Sequence, residues 1–283
     1  MRTIEQALHE AVLLLSQSPT ARLDAEILLG HVLAKPSSYL FTWPDKMLEQ
    51  QSYRDFNALI TRRAQGEPIA YIVGYRDFWT LRLKVSPATL IPRPDTELLV
   101  ELALEKLSKT NLDSDVRVLD LGTGTGAIAL SLAFEHKNIR VLGVDLHHEA
   151  ISLAAENSQS LAIENATFVQ SNWFDAVQNQ IFSLIVSNPP YIDSQDPHLQ
   201  RGDVRFEPNS ALISDLNGLA DIQHICQQSV QHLVPGGALL IEHGFEQGQA
   251  VRTFFQAAGF VDVITKQDYS GLDRVTLGSM PTK

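Results

Sequence analysis

From Val116 onward the sequence alternates short aliphatic, β-branched runs with longer amphipathic stretches, and this order leaves few folds open. "VRVLDLG", "RVLGVDL", "ATFVQ", "FSLIVSN" and "GALLIEH" read as strands, most of them near-continuous apolar runs of the kind buried on both faces of a sheet. "GAIALSLAFEH", "HEAISLAAENSQS", "GLADIQHICQQSVQHL" and "EQGQAVRTFFQAAG" read as helices. Such alternation predicts an α/β fold, a mostly parallel Rossmann-like sheet covered on both faces through right-handed crossovers. "FVDVITKQ" and "DRVTLGSM" are separated by "DYSGL", too short for a crossover helix. They are expected to form an antiparallel hairpin on the sheet edge.

The first 70 residues have another texture. "TIEQALHEAVLLLSQ" places Ile4, Leu8, Val12 and Leu15 on one helical face. "ARLDAEILLGHVLAK" stops at Pro36, and "KMLEQQSYRDFNALITRRAQG" predicts a third helix ending at Gly66. Three such stripes must bury one another, so residues 1–70 are expected to form a small helical bundle. The stretch 71–92 contains "YIVGYRDFWTLRLKVSPATL", whose alternation and aromatic content predict a β-hairpin linker. The larger domain then runs over 93–283, its first helix in "IPRPDTELLVELALEKL" capped by Asp95 or Thr96.

Acidic residues outnumber basic ones 33 to 22, for a formal charge of −11. That balance opposes a broad electrostatic grip on nucleic acid, so no direct nucleic-acid partner is expected. The single cysteine, Cys226, permits no intrachain disulfide and is expected in the core, which points to a reducing, cytoplasmic compartment. No apolar run reaches the roughly 20 residues that cross a bilayer. His198, His243 and the other histidines lack paired metal-ligand spacing, so no metal is assigned.

Chemistry enters with "VLDLGTGTGAIAL". Gly122, Gly124 and Gly126 permit a sharp strand-to-helix turn and bring bare backbone against a ligand, with Thr123 and Thr125 between them. Asp145, at the end of the next strand and about twenty residues on, stands where an acid binds a ribose diol. The loop alone suits either a nicotinamide dinucleotide or S-adenosylmethionine. Asp120, just before it, either meets a cofactor's cationic end or caps the loop.

"FSLIVSNPPYI" ends its strand at the same sheet edge. Pro189 and Pro190 stiffen the backbone, fixing the carbonyls of Asn188 and Pro189. A rigid acceptor pair suits a substrate amide or aromatic amine, whose nitrogen lone pair is delocalised. The Asn188 side-chain oxygen and the Pro189 carbonyl accept its two N–H groups, push density onto nitrogen and aim it at a methyl sulfonium. Tyr191 either packs on the planar substrate or serves the core.

With "YIVGYRDFW", "LIPRPDTE", "DLGTGTGAIAL", "SNPPYI" and "RFEP" present in one chain, the sequence resembles the HemK/PrmC family over nearly its whole length. The resemblance implies an S-adenosylmethionine-dependent methyltransferase acting on the glutamine of the Gly-Gly-Gln motif in class 1 peptide chain release factors. It implies that Gly122 to Gly126 wrap the methionine end of the cofactor, Asp145 holds the ribose and Trp173 meets the adenine. Asn188, Pro189, Pro190 and Tyr191 then form the glutamine pocket. From the architecture alone, the N-terminal bundle is expected to dock the protein substrate. Arg93 either closes over the cofactor, or is solvent-exposed or paired with a nearby acid, and Glu207 either braces the substrate loop or caps a turn. Trp79 stands where the family often has glycine. Rival readings are a ribosomal-protein glutamine, an exocyclic base amine and a nicotinamide dehydrogenase, the last leaving the double proline unexplained.

Overall fold

The computed structural model describes residues 2–109 and 115–282. They divide into two compact units, Met1–Tyr75 with Gln200–Phe206, and Arg76–Leu199 with Glu207–Lys283.

The first unit is helical: α1 (Ile4–Leu14), α2 (Ala21–Leu33), α3 (Ser37–Thr42), α4 (Gln50–Ala64) and α5 (Ile69–Val73). A capping box starts α1. Thr3 Oγ1 accepts from Gln6 N at 3.2 Å, and Gln6 Oε1 accepts from Thr3 N at 3.1 Å. The buried stripe of α1 is Ile4, Ala7, Leu8 and Ala11, continued by Leu15; Val12 is half-buried, because Ala7 and Ala11 let the neighbouring helices close over the other edge of the stripe. The third expected helix begins later than its sequence suggests. Leu48 N donates to Arg2 O and Met47 pairs with Thr3, so this stretch is extended until α4. Phe56 and Ile60 of α4 meet Leu28 and Leu29 of α2 in the core. Arg63, at the end of α4, pairs with Asp24 at 2.8 Å and with Asp203 at 3.0 Å.

The hairpin is shorter than the 71–90 alternation predicts. Ile69–Val73 follow Pro68 as a helical turn, and only β1 (Tyr75–Phe78) and β2 (Leu81–Lys84) pair. Trp79 sits in its turn at φ +55°, the left-handed region that favours glycine.

In the second unit, Pro94–Thr96 form a 3₁₀ turn that leads into α6 (Glu97–Ser108). Neither Asp95 nor Thr96 caps that helix with its side chain. The elements then follow as predicted: β3 (Arg117–Leu121), α7 (Ala127–Glu135), β4 (Arg140–Asp145), α8 (His148–Ser160), β5 (Ala166–Gln170) and β6 (Phe182–Ser187). The chain continues through α9 (Asp215–Gly218), α10 (Ala220–Ser229), β7 (Leu233–Glu242), α11 (Gly248–Ala257), β8 (Val261–Gln267) and β9 (Asp273–Ser279). The sheet order is β5-β4-β3-β6-β7-β9-β8. Only β9 runs against its neighbours, inserted between β7 and β8 as one arm of the expected antiparallel hairpin.

Alternate residues of the central strands serve two cores. Val118, Leu184 and Leu240 face one, while Leu119, Ile185 and Leu239 face the other, which is why these strands read as continuous apolar runs. Register sets the functional edge. Leu121 pairs with Val144 of β4 and with Ser187 of β6, and Ser187 pairs with Ile241 of β7. Gly122, Asp145, Asn188 and Glu242 therefore emerge side by side, and the strand order reverses between β3 and β6, where open α/β sheets bind ligands.

Candidate active site

A cleft of about 320 Å³ opens at this edge, lined among others by Gly122 to Thr125, Asp145, Trp173, Asn188, Pro190 and Arg93. Its volume falls at the small end of the range for ligand pockets, about 300–1,000 Å³.

The glycine loop is built by short-range hydrogen bonds. Gly122 N and Thr123 N both donate to Val144 O at 2.9 Å, and Gly126 N donates to Thr123 O at 2.8 Å. All three glycines have positive φ. A Cβ on Gly124 would meet nothing within 4 Å, so glycine is present there for its backbone conformation and not for packing. Asp145 accepts from Gly124 N at 2.9 Å and from His147 N at 3.0 Å, which aims the carboxylate along the loop. Thr125 is held from behind: Asn157 Nδ2 donates to its carbonyl at 2.9 Å, while the same side chain bonds both main-chain groups of Lys84.

Asp120 caps the loop and keeps an oxygen in reserve. Its Oδ2 accepts from Thr123 Oγ1 at 2.7 Å and from Ala129 N at 3.3 Å, while its buried Oδ1 has no partner. Complete burial pushes the acid up to about 7, against the two hydrogen bonds and with the Asp145 charge adding. His147 Nε2, on the cleft wall, is likewise buried without a partner. Orphaned polar atoms of this kind are what a polar ligand satisfies. With the glycine loop and the Asp145 carboxylate both on the cleft wall, these residues fit S-adenosylmethionine.

Trp173 has φ +47° and is half-buried, with its Cζ3 3.7 Å from where a Cβ on Gly122 would lie. It is both a wall of the cleft and a partner of the apolar core. Arg93 and Glu207, whose roles the sequence left open, hold each other: Arg93 Nη2 donates to the fully buried Glu207 carboxylate, which also accepts from Ile91 N at 3.0 Å.

Of the Asn-Pro-Pro-Tyr residues, Asn188 and Pro190 line the cleft; Pro189 is buried and Tyr191 stands behind. Asn188 Nδ2 donates to Thr96 Oγ1 at 3.1 Å. The amide nitrogen is thereby engaged on the protein side. The Tyr191 hydroxyl lies 3.5 Å from Glu242 Oε1, and burial pushes its pKa up, so the phenol stays protonated. Gln247 fastens the Tyr191 main chain, donating from Nε2 to Tyr191 O at 3.0 Å and to Asn217 O at 3.2 Å. Leu216 and Asn217 beside it adopt the left-handed conformation at φ +55° and +57°, backbone strain that this hydrogen bonding helps hold.

Glu242, Gln247 and Asn157 were not singled out in the sequence, and Thr96 only as a helix cap. For Glu242 a signal existed, since "GALLIEH" ends in an acid at the ligand-binding edge. The others become visible only through their partners.

Among solved structures, a methyltransferase from Pyrococcus furiosus matches at TM-score 0.53 and 18% identity, covering 78% of this chain and 97% of that one, which shows the fold. Residues 95–203 match the methyltransferase small domain family, and residues 6–74 the PrmC N-terminal domain family. Fold and site together define a Rossmann-like, S-adenosylmethionine-dependent methyltransferase. A release factor glutamine methyltransferase of Vibrio cholerae is 56% identical, covering 99% of this chain and 98% of its own length. One from Escherichia coli is 53% identical, covering 96% of each. The chain belongs to the release factor glutamine methyltransferase family.

Proposed function

We propose that the protein transfers a methyl group from S-adenosylmethionine to the side-chain amide nitrogen of the glutamine in the Gly-Gly-Gln motif of class 1 peptide chain release factors. The names of its full-length relatives support the substrate class. The observation that carries the chemistry is the anchoring of Asn188: with Nδ2 bonded to Thr96, Oδ1 is the end left for a ligand at the mouth of the glycine loop.

When bound, the cofactor supplies an electrophilic methyl group on a cationic sulfur. The chain's own residues do the rest. Gly122 to Gly126 hold the methionine end, Asp145 the ribose and Trp173 the adenine side. The Asn188 oxygen and the Pro189 carbonyl accept the two amide hydrogens, which localises the nitrogen lone pair and directs it at the methyl carbon. The substrate nitrogen would accept the methyl group so supplied, the sulfur keeping the electron pair of the broken bond, and the surplus proton on nitrogen would leave to solvent. Tyr191 braces the loop from behind, a role that suits its half-buried ring, and the Arg93–Glu207 pair ties the segments around Ile91 and Pro208 together. The helical unit, with Phe41, Trp43 and Met47 exposed, docks the protein substrate.

The test is incubation of the protein with methyl-labelled S-adenosylmethionine and a class 1 release factor, beside a variant carrying alanine for the motif glutamine. Label is expected on the first and absent from the second. Label found only on a ribosomal protein or on nucleic acid overturns the reading.

A further inference from the structure

Pro189 and Pro190 carry no backbone N–H, so neither can be fastened by donating a main-chain hydrogen bond. The double proline must be held from its ends. Its leading end is secure. Ser187, the last residue of β6, pairs with Leu121 of β3 and Ile241 of β7, and Asn188 is tethered to Thr96 at 3.1 Å. The trailing end lies beyond the sheet, and a side chain from a remote segment reaches it there.

Gln247, half-buried just before α11, donates from Nε2 to Tyr191 O at 3.0 Å and to Asn217 O at 3.2 Å, with Gly218 O 3.5 Å away. Its Oε1 accepts from Gly244 N at 2.8 Å. Carbonyls only accept and a main-chain N–H only donates, so this carboxamide has one permitted orientation. Three segments meet on it: the loop after β6, the turn at 216–218 and the loop after β7. Their converging carbonyls would repel one another without a donor between them. The turn makes room for this arrangement. Leu216, Asn217 and Gly218 follow one another at φ +55°, +57° and +79°, and a Cβ on Gly218 would run into Tyr191 O and stand 2.9 Å from Gln247 Nε2. Ile192, the next residue of the loop, is pinned to the approach to the same turn, donating to Leu212 O at 2.9 Å and accepting from Ser214 N at 3.0 Å.

We propose that Gln247 is a positioning residue for methyl transfer: by clamping the Tyr191 carbonyl it fixes the trailing end of the double proline and thereby the direction of the Pro189 carbonyl, a role that rests on the amide-acceptor reading of Asn188 and Pro189. Each proline ring fixes φ, so little freedom is left between Asn188 and Tyr191 once both ends are held. The glutamate isostere separates this role from packing. A carboxylate at 247 keeps the shape but turns an oxygen on three carbonyl oxygens, and repulsion replaces attraction. Protonated, the same carboxyl has an O–H to give them. Those oxygens favour the protonated form and raise the carboxyl above its ordinary value.

Gln247→Leu and Gln247→Glu test this in the full chain beside the wild type, with release-factor methylation, cofactor calorimetry and thermal melting. Gln247→Leu is expected to lower kcat about tenfold while cofactor Kd stays within about twofold, the pattern of a misplaced reacting group. Gln247→Glu is expected to lose more than this at about pH 8. Relative to the wild type at the same pH, it should recover several-fold as pH falls to about 5.5. A residue that only fills space would lower the melting temperature, leave kcat unmoved and show no acid rescue of kcat. A readout without substrate is hydrogen exchange at the Ile192 and Gly218 amides, which should quicken in Gln247→Leu while the amides of β3 keep their wild-type rate. Wild-type kcat in a folded Gln247→Leu, or a Gln247→Glu to wild-type ratio that is flat with pH, overturns the proposal; should Gln247→Leu lose its melting transition, that ratio decides alone. Failure of the wild type to methylate the release factor rejects the acceptor reading instead, and exchange at Ile192 then decides whether Gln247 holds the loop.

Discussion

At the glycine end of the cleft the supporting residues are close in sequence: Thr123 bonds Asp120 three positions away and Gly124 bonds Asp145 twenty-one away. At the Asn188 end they are distant. Asn188 reaches Thr96 across 92 positions, Tyr191 reaches Glu242 across 51, and Gln247 holds the Tyr191 carbonyl across 56. One end is a strand–turn–helix whose shape follows from its own residues. The other is a rigid dipeptide whose orientation is imposed by three other segments. On the proposed function the difference separates binding from turnover: the glycine end is expected to carry cofactor affinity, and the Asn188 end the rate.

Asn188→Ala should break the second end most cleanly. Turnover is expected to fall by about 10²–10³-fold, the scale of removing one preorganised polar group, while cofactor Kd changes by less than about threefold. Steady-state kinetics beside calorimetry would show it, and an equal loss in both would erase the distinction. Asp145→Ala is the converse. It removes the acceptor for Gly124 N and His147 N and should weaken cofactor binding by about 10–100-fold, the scale of lost charged hydrogen bonds.

A subtler probe leaves every polar contact in name. Gly218 has φ +79°, and a Cβ there would stand 2.1 Å from the Tyr191 carbonyl oxygen. Gly218→Ala must displace that backbone. A roughly tenfold loss of kcat is expected, with about 1–3 kcal/mol of destabilisation from backbone strain and overpacking. Unaltered turnover would mean that the Tyr191 main chain does not set the acceptor geometry.

The smallest effect concerns stability. Asp120 has an ordinary value of 3.8 and is raised to about 7 by burial, so folding takes up a proton between these values. Its stabilising contribution is fully present below the unfolded value and is lost as pH rises through about 7. Asp120→Asn stays neutral throughout and can still accept from Thr123 and Ala129. Its melting temperature, relative to the wild type, should rise by a few degrees between pH 5 and pH 8, about 2–3 kcal/mol. A constant difference would mean that Asp120 is already paired.

Much of this molecule was legible in one dimension. Both-face burial of β3, β6 and β7 makes their apolar runs continuous, and "DYSGL" is too short to cross a sheet, so alternation and the terminal hairpin were readable. Less was readable where a residue's role depends on a remote neighbour. Thr96 looks like a helix cap and is instead bonded to Asn188; Tyr71 looks like hairpin and is helical. Arg93 and Glu207 were each open to more than one reading, and only the folded chain shows that they pair with each other.

By itself the sequence determined the α/β class, the glycine loop with its acid, and the stiffness of Asn188-Pro-Pro-Tyr, because these follow from covalent geometry and from spacing within neighbouring elements. Only the tertiary structure decided which end of the Asn188 amide is tethered and what stands behind it. Hydrogen-bond direction depends on the group opposite: parallel strand register brings Asn188 and Glu242 to one edge, and Thr96 reaches Asn188 from the turn before α6.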